Sequence, residues 1–250
     1  MEIRCEKFWI CVILSGIVCN FLIPSRVETK DLFIGFRQGK ESNEVPEGWE
    51  VIPYFRTAQN TLSLYKEGKR TVLRVRSLGS ASGVLKRLEV DLKEFPVFVW
   101  AWKINRAVGM AIETNKDRND AAARIRVIFG KPRPSKELPE IFKFFKSFGL
   151  KGGSKEPVGY KIDYIWGNAI PHGEVIDYPG SKRHKMVVVQ SGNERTNQWV
   201  WEKRNLMEDF EKFFRHSPPP LIGIAVLTDT DQTNEGVIAH YSSIVMMSEP

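Results

Sequence analysis

No cysteine lies beyond residue 19 of this 250-residue chain. Cys5, Cys11 and Cys19 all stand in an apolar amino-terminal run. Without that run the chain forms no disulfide, carries no thiol nucleophile and builds no thiolate zinc site. Histidine is scarce as well: His172, His184, His216 and His240 show no close metal-ligand spacing. Gly-x-Ser-x-Gly, His-Glu-x-x-His and the phosphate-cradling Gly-x-x-x-x-Gly-Lys are all missing. An enzymatic reading therefore has candidate residues but no signature. No Pro/Gly/Ser-rich linker and no internal repeat divides the chain.

The amino terminus reads as a secretory signal over residues 1–27. Arg4 and Lys7 precede an almost wholly apolar stretch from Phe8 to Ile23, which Pro24-Ser25-Arg26 ends. The stretch is shorter than the roughly 20 residues of a spanning helix. A periplasmic or secreted location is the expectation; an uncleaved segment anchoring the protein to the membrane is the alternative. Residues 28–250 are expected to form a single domain, large enough to stand on its own core.

The formal charge of the whole chain is +7, and most of it is local. Eight Lys/Arg between Lys131 and Lys161 face only Glu137, Glu140 and Glu156. In an exported protein this fits an anionic membrane or cell-wall surface better than nucleic acid. A plain solvated insertion at about 131–160 is the simpler explanation. Within it, Ile141, Phe142, Phe145 and Phe148 share one face of a helix predicted over 138–148, and Lys143 and Lys146 lie off that face.

Elsewhere period-two alternation dominates, with frequent turn signals. Strands are predicted at 62–65, 71–75, 84–92, 97–104, 121–129, 160–166, 185–190, 198–201, 221–227 and 237–245. A second helix is predicted from Asn205 to about Phe214, with Asn205 and Glu208 placed as a capping box. The expected fold is all-β dominant. It is a β-sandwich or jelly roll with two short helices, like carbohydrate-binding (galactose-binding-like) modules.

Two strands and a loop supply the site candidates. In 97–104, Phe98, Trp100 and Trp102 alternate with Val97, Val99 and Ala101. The small aliphatics suit a core, and the aromatics then either form a stacking platform for sugar rings or, for one or both tryptophans, simply fill the sandwich. Trp166, Trp199 and Trp201 add aromatic surface elsewhere. In 121–129, Arg124 and Arg126 need a carboxylate or a ligand anion for their donors. Asp120, Asp209, Asp229 and Asp231 are the candidate partners. The loop Asp229–Glu235, between two apolar runs, carries Asp229, Asp231, Asn234 and Glu235. It departs from the helix-loop-helix calcium pattern, because Thr233 and Asn234 stand where a ligand and a glycine belong. Calcium held by Asp229, Asp231 and Glu235 on a β-loop, ligand hydrogen bonding and an ordinary hairpin remain the three readings.

Five blocks in order resemble a known family. They are Trp100-Ala101-Trp102-Lys103, Asn119 to Phe129, Tyr164-Ile165-Trp166-Gly167, Glu202-Lys203-Arg204-Asn205 with Asp209, and Asp229-Thr230-Asp231-Gln232-Thr233. Together they are similar to the bacterial domain-of-unknown-function family 3047, over roughly residues 33–245. The chain departs from that pattern at Asn119, where the family commonly has an acid, and at Gln232, where it commonly has Asn. The resemblance implies an exported all-β domain and carries no activity with it. The expected function is a non-catalytic module binding a saccharide or an anionic cell-envelope component. Trp100, Trp102 and Trp166 would stack, Arg124 and Arg126 would supply charge, and Asp229, Asp231 and Asn234 would line the rim. The alternatives are a carboxylate- or metal-dependent envelope hydrolase using Asp120, Asp229 and Asp231, and a membrane-surface interaction protein using Lys143 and Lys146.

Overall fold

The computed structural model describes residues 30–36, 43–54, 57–131 and 159–249. The leader, the predicted helix over 138–148 and Lys143 and Lys146 lie outside the described residues. Two sheets stack face to face. The first runs β11 (Val200–Asn205), β6 (Val97–Ile104), β13 (Gly236–Met247), β4 (Arg70–Leu78), β3 (Thr61–Glu67), and β1 (Asp31–Phe33) also pairs with β13. The second runs β2 (Glu50–Pro53), β5 (Ala81–Val90), β12 (Leu221–Asp229), β7 (Ala121–Phe129), β8 (Tyr160–Gly167), β10 (Ser181–Ser191), β9 (Val175–Tyr178). Among the described residues only β8 and β10 pair in parallel. The fold is the expected β-sandwich.

Alternation explains most of this layout. Ala123, Ile125, Val127 and Phe129 of β7 point into the core between the sheets. They meet Tyr164 and Trp166 of β8 and Ile224 and Val226 of β12. Every residue of β7 and β12 is buried, so both faces of these two central strands are covered. The strands expected over 97–104 and 121–129 have those limits. Three short strands, β1, β2 and β9, lack a period-two run long enough to be read from sequence.

One helix, α1 (Leu206–Phe214), stands among the described residues. Asn205 caps it as expected: its side-chain oxygen accepts from the N–H groups of Met207 and Glu208, both at 3.1 Å. Glu208 Oε1 accepts from the Asn205 side-chain Nδ2 at 3.1 Å, a side-chain contact in place of the backbone N–H bond of the predicted box. The apolar stripe sets Phe210 against Phe129, ring centroids 4.9 Å apart. The left-handed Arg215 (φ 64°) ends the helix.

The inward face of β6 corrects one expectation. Phe98, Trp100, Trp102 and Ile104 fill the core, and Val99 and Lys103 face outward. Trp100 packs on Trp102 at 5.6 Å and on Tyr164 of the opposite sheet at 5.2 Å. Trp102 in turn meets Trp166 at 5.9 Å. The gap between sheets, near 10 Å, takes large rings on one inner face against rings on the other. Removing such a ring leaves a cavity that the rigid sheets do not close. Trp100→Ala should cost about 3–5 kcal/mol in urea unfolding. Trp201→Ala, at a half-exposed position, should cost less than about 1 kcal/mol.

Candidate functional site

The predicted tryptophan platform is not a surface. Trp100 and Trp102 are 0% exposed and Trp166 is 1% exposed. They are structural, because their area stabilises the sandwich only when removed from water. Trp166 donates to the Gly192 carbonyl at 3.0 Å, and Trp102 donates to Glu202 at 3.3 Å.

The open aromatic surface is on the neighbouring strand. Register sets Trp201 beside Ala101 and Lys203 beside Val99, so Trp201 faces away from the core. It is 52% exposed. Trp199 precedes β11 on the same face, with the Lys103 ammonium 4.8 Å from its ring centroid. The Arg70 guanidinium lies 5.5 Å from Trp199 and 5.4 Å from Trp201, bridging the two rings. Tyr65 and His240 extend the patch, edge to face at 6.0 Å, and His240 meets Trp199 at 6.5 Å.

This face is basic. Along the path from β11 to β3, Arg70, Arg74, Arg76, Lys103 and Lys203 share it with one carboxylate, Glu67. Glu67 accepts from the Trp199 indole at 3.0 Å, and Lys103 sits 3.4 Å away. The Trp199 bond holds its carboxyl below the ordinary range. Arg70 has no carboxylate within ion-pair distance among the described residues. Burial, with Lys103 beside it, pulls His240 down to about 4, so it is neutral at pH 7. Sequence reasoning noted Trp199 and Trp201 without assigning them. The available signal was the alternation Trp199-Val200-Trp201 beside the small Ala101, which leaves room above the sheet.

Arg124 and Arg126 have a partner outside the four acids considered. Asp163 of β8 takes Arg124 Nη1 at 2.9 Å and Arg126 Nε and Nη2 at 2.7 and 2.8 Å. His184 Nε2 sits 3.0 Å from the same carboxylate, and Tyr178 stacks on the His184 ring at 4.2 Å. Arg124 also donates to the Asn119 carbonyl at 3.0 Å. Burial alone would raise the Asp163 pKa. Arg126 and His184 outweigh it and hold the carboxyl well below its usual range. With Arg124 2%, Arg126 5% and Asp163 0% exposed, this is an internal ion cluster rather than a set of ligand donors. Asp209, another candidate, instead accepts from Tyr164 at 2.7 Å and from Arg204.

The loop acids divide. Asp120, Asp229 and Asp231 converge, each offering an oxygen within 4.8 Å of the others. Asp120 Oδ2 accepts from the Thr233 N–H at 2.7 Å, and Asp231 Oδ2 accepts from Thr57 at 3.0 Å. Burial, against the pull of Arg124, pushes the Asp229 carboxyl well above the ordinary range, and Asp231 and Asp120 add to the rise. Asp229 Oδ1 is buried without a hydrogen-bond partner. A hard cation or a shared proton would answer this arrangement. Glu235 is not part of it. Its carboxylate is 2.6 Å from Arg106 and accepts from the Met110 N–H at 2.8 Å, on the far side of the loop. Asn234 is exposed, adopts φ 56° and closes the turn by donating to the Thr230 carbonyl at 2.9 Å. The eight predicted site residues therefore do not form one constellation.

The sequence model of the family described as "Protein of unknown function (DUF3047)" matches residues 47–245. No curated protein matches the chain. Among solved structures, a mutant of the family 29 carbohydrate-binding module CBM29-2, complexed with cellulohexaose, is similar at 8% identity and TM-score 0.35. It covers 88% of this chain and 92% of its own. The family GH12 endoglucanase 3 of Trichoderma harzianum has 8% identity and TM-score 0.42, covering 90% of this chain and 99% of its own. The xyloglucanase domain of NopAA from Sinorhizobium fredii, in complex with cellobiose, has 9% identity and TM-score 0.42, covering 89% and 99%.

Two substitutions separate the ion cluster from the acid cluster. Asp163→Asn strands two buried guanidinium groups and should cost about 3–5 kcal/mol at pH 7. Asp229 behaves oppositely. Its native pKa lies above the ordinary 3.8, so the native state holds the proton more tightly. The stability this adds is present below about pH 4 and is lost as pH rises. Asp229→Asn should therefore gain on wild type between pH 4 and pH 7 in chemical-denaturation midpoints. A difference that is flat with pH would contradict the raised pKa.

Proposed function

The chain belongs to the DUF3047 family, whose description assigns no activity, and we propose that it is an exported, non-catalytic module binding a saccharide of the cell envelope. The ligand face is the outer surface of the first sheet. The observation that carries this reading is the half-exposed Trp201 beside the partly buried Trp199 on one face, with Arg70 between them. Pyranose rings present C–H faces to such aromatics, while their hydroxyls accept from guanidinium and ammonium groups. Rigid strands hold the donors, so little conformational entropy opposes binding. The leader-like amino terminus supports an extracytoplasmic location, periplasmic or secreted.

A second reading rests on one observation, the convergence of Asp120, Asp229 and Asp231 around an unpartnered oxygen. It is a carboxylate- or metal-dependent hydrolase. A protonated Asp229 would serve as general acid, and Asp231 is the more accessible base. It requires turnover that Asp231→Asn abolishes. Purified protein free of metal and inert on glycoside and phosphoester panels would remove it.

The leading reading is tested by glycan-array binding followed by calorimetry. Trp201→Ala should weaken the best glycan about tenfold or more, the loss expected at a central aromatic anchor. An empty array, or affinity unchanged by Trp201→Ala, would refute saccharide binding on this face.

A further inference from the structure

The aromatic face ends at a break in its own sheet. Along one edge, β13 pairs with β4 from Gly236 to Tyr241 and with β1 from Val245 to Met247. The three residues between, Ser242 to Ile244, have no strand partner on that edge. A register shift between Ser242 and Val245 marks a bulge there, and Ser243 adopts φ 53°. A left-handed non-glycine residue at a bulge is a strained conformation, kept where the surroundings demand it. The chain leaving β1 closes the far side. The Ile34 and Gly35 N–H groups both donate to the Ile244 carbonyl at 2.9 Å. At Gly35 a Cβ would come within 3.1 Å of the Phe33 ring and 3.2 Å of the Ile244 nitrogen, a tight fit that a larger residue meets only if these neighbours shift by a few tenths of an ångström.

The break borders an open-sided cavity of about 380 Å³. Phe33 and Phe36 form its apolar wall, and Lys69, Arg70, Thr71, Ser242 and Ser243 form the polar one. Neither Lys69 nor Arg70 has a carboxylate within ion-pair distance among the described residues. Among the described residues no carboxylate lines the cavity. Thr71 Oγ1 is buried and has no hydrogen-bond partner, although Ser242 Oγ donates to the Thr71 carbonyl at 3.0 Å. A buried hydroxyl without a partner is uncommon, and a ligand oxygen would satisfy it. Arg70 belongs to both places: it lines the cavity and bridges Trp199 and Trp201.

We propose that this cavity is an anion subsite at the end of the saccharide face, taking a carboxylate, phosphate or sulfate group carried by the bound glycan. The assignment rests on the saccharide reading above and adds the charge of the ligand to it. The anion sits between Lys69 and Arg70 and accepts from the Thr71 and Ser243 hydroxyls. The sugar ring bearing it leans on Phe33, and the following rings run across Arg70 onto Trp201. Two cations without an ion-pair partner among the described residues, beside hydroxyls and with the neighbouring Glu67 engaged by Trp199 and Lys103, form the chemistry that selects an oxyanion over a neutral sugar.

The test uses an array of matched glycans that differ only in a carboxylate, phosphate or sulfate group. The strongest pair is then followed by calorimetry. Wild type should prefer the anionic member at least tenfold. Lys69→Gln should erase most of that preference, and Thr71→Val should reduce it without lowering the unfolding midpoint. Trp201→Ala should weaken both members and leave their ratio unchanged. Equal affinity within each pair, or a preference that survives both cavity variants, overturns the subsite and leaves the saccharide face standing. Affinity for both members left unchanged by Trp201→Ala overturns the saccharide face and leaves the cavity as a site by itself. Inorganic phosphate and phosphatidylglycerol vesicles are run alongside. Binding to the vesicles with no glycan binding overturns the saccharide assignment of both.

Discussion

The inward turn of Trp100 is the constraint on which the rest of the sandwich depends. Its ring reaches Trp102 along its own strand and Tyr164 across the gap between sheets. A strand has only two faces, so this one commitment settles the side chains on either side of it. Ala101 and Lys103 must point outward. Register carries the choice across to β11, where Trp201 lies over Ala101 and Trp199 lies beside Lys103. The buried rings and the open rings are thus a single decision taken twice, on neighbouring strands with opposite parity.

The two sheets treat charge in opposite ways. On the second sheet Arg124, Arg126, Asp163 and His184 are closed off from solvent, and the donors facing Asp163 are already committed to it. Such a cluster offers a ligand little, and its physical role is to fix β7 against β8 and β10. On the first sheet five cations share a face with one carboxylate, and aromatic rings hold Arg70 in place of an acid. That arrangement stays solvated and leaves charge to be satisfied by something else. The acid cluster at Asp120, Asp229 and Asp231 lies between these extremes. Asp229 is buried with an unsatisfied oxygen, while Asp231 is partly open to water.

Much of the fold was legible in the chain, and little of the site was. Period two located β6 and β7 to the residue, and the Asn205–Glu208 box located the start of α1. The apolar face of β7 also followed from its aliphatics. For β6 the same reasoning chose the wrong side, because small and large apolar residues occupied opposite faces and either could fill a core. The tie is broken by volume. The space between the sheets must be filled, and Val97, Val99 and Ala101 are too small to meet the rings of β8.

From its order of residues alone this chain determined an all-β sandwich, a capped helix, a thiol-free domain and the convergence of polar residues in the loop from Asp229. Those features depend on neighbours a few residues apart, where period and capping act. Tertiary structure decided which tryptophans meet water, that Asp163 pairs with both arginines, that Asp120 replaces Glu235 beside Asp229, and that Phe33 meets Arg70 around one cavity. Each of these joins residues far apart in sequence through strand register and sheet stacking. A shift of one residue in that register would exchange inside for outside without altering the local pattern.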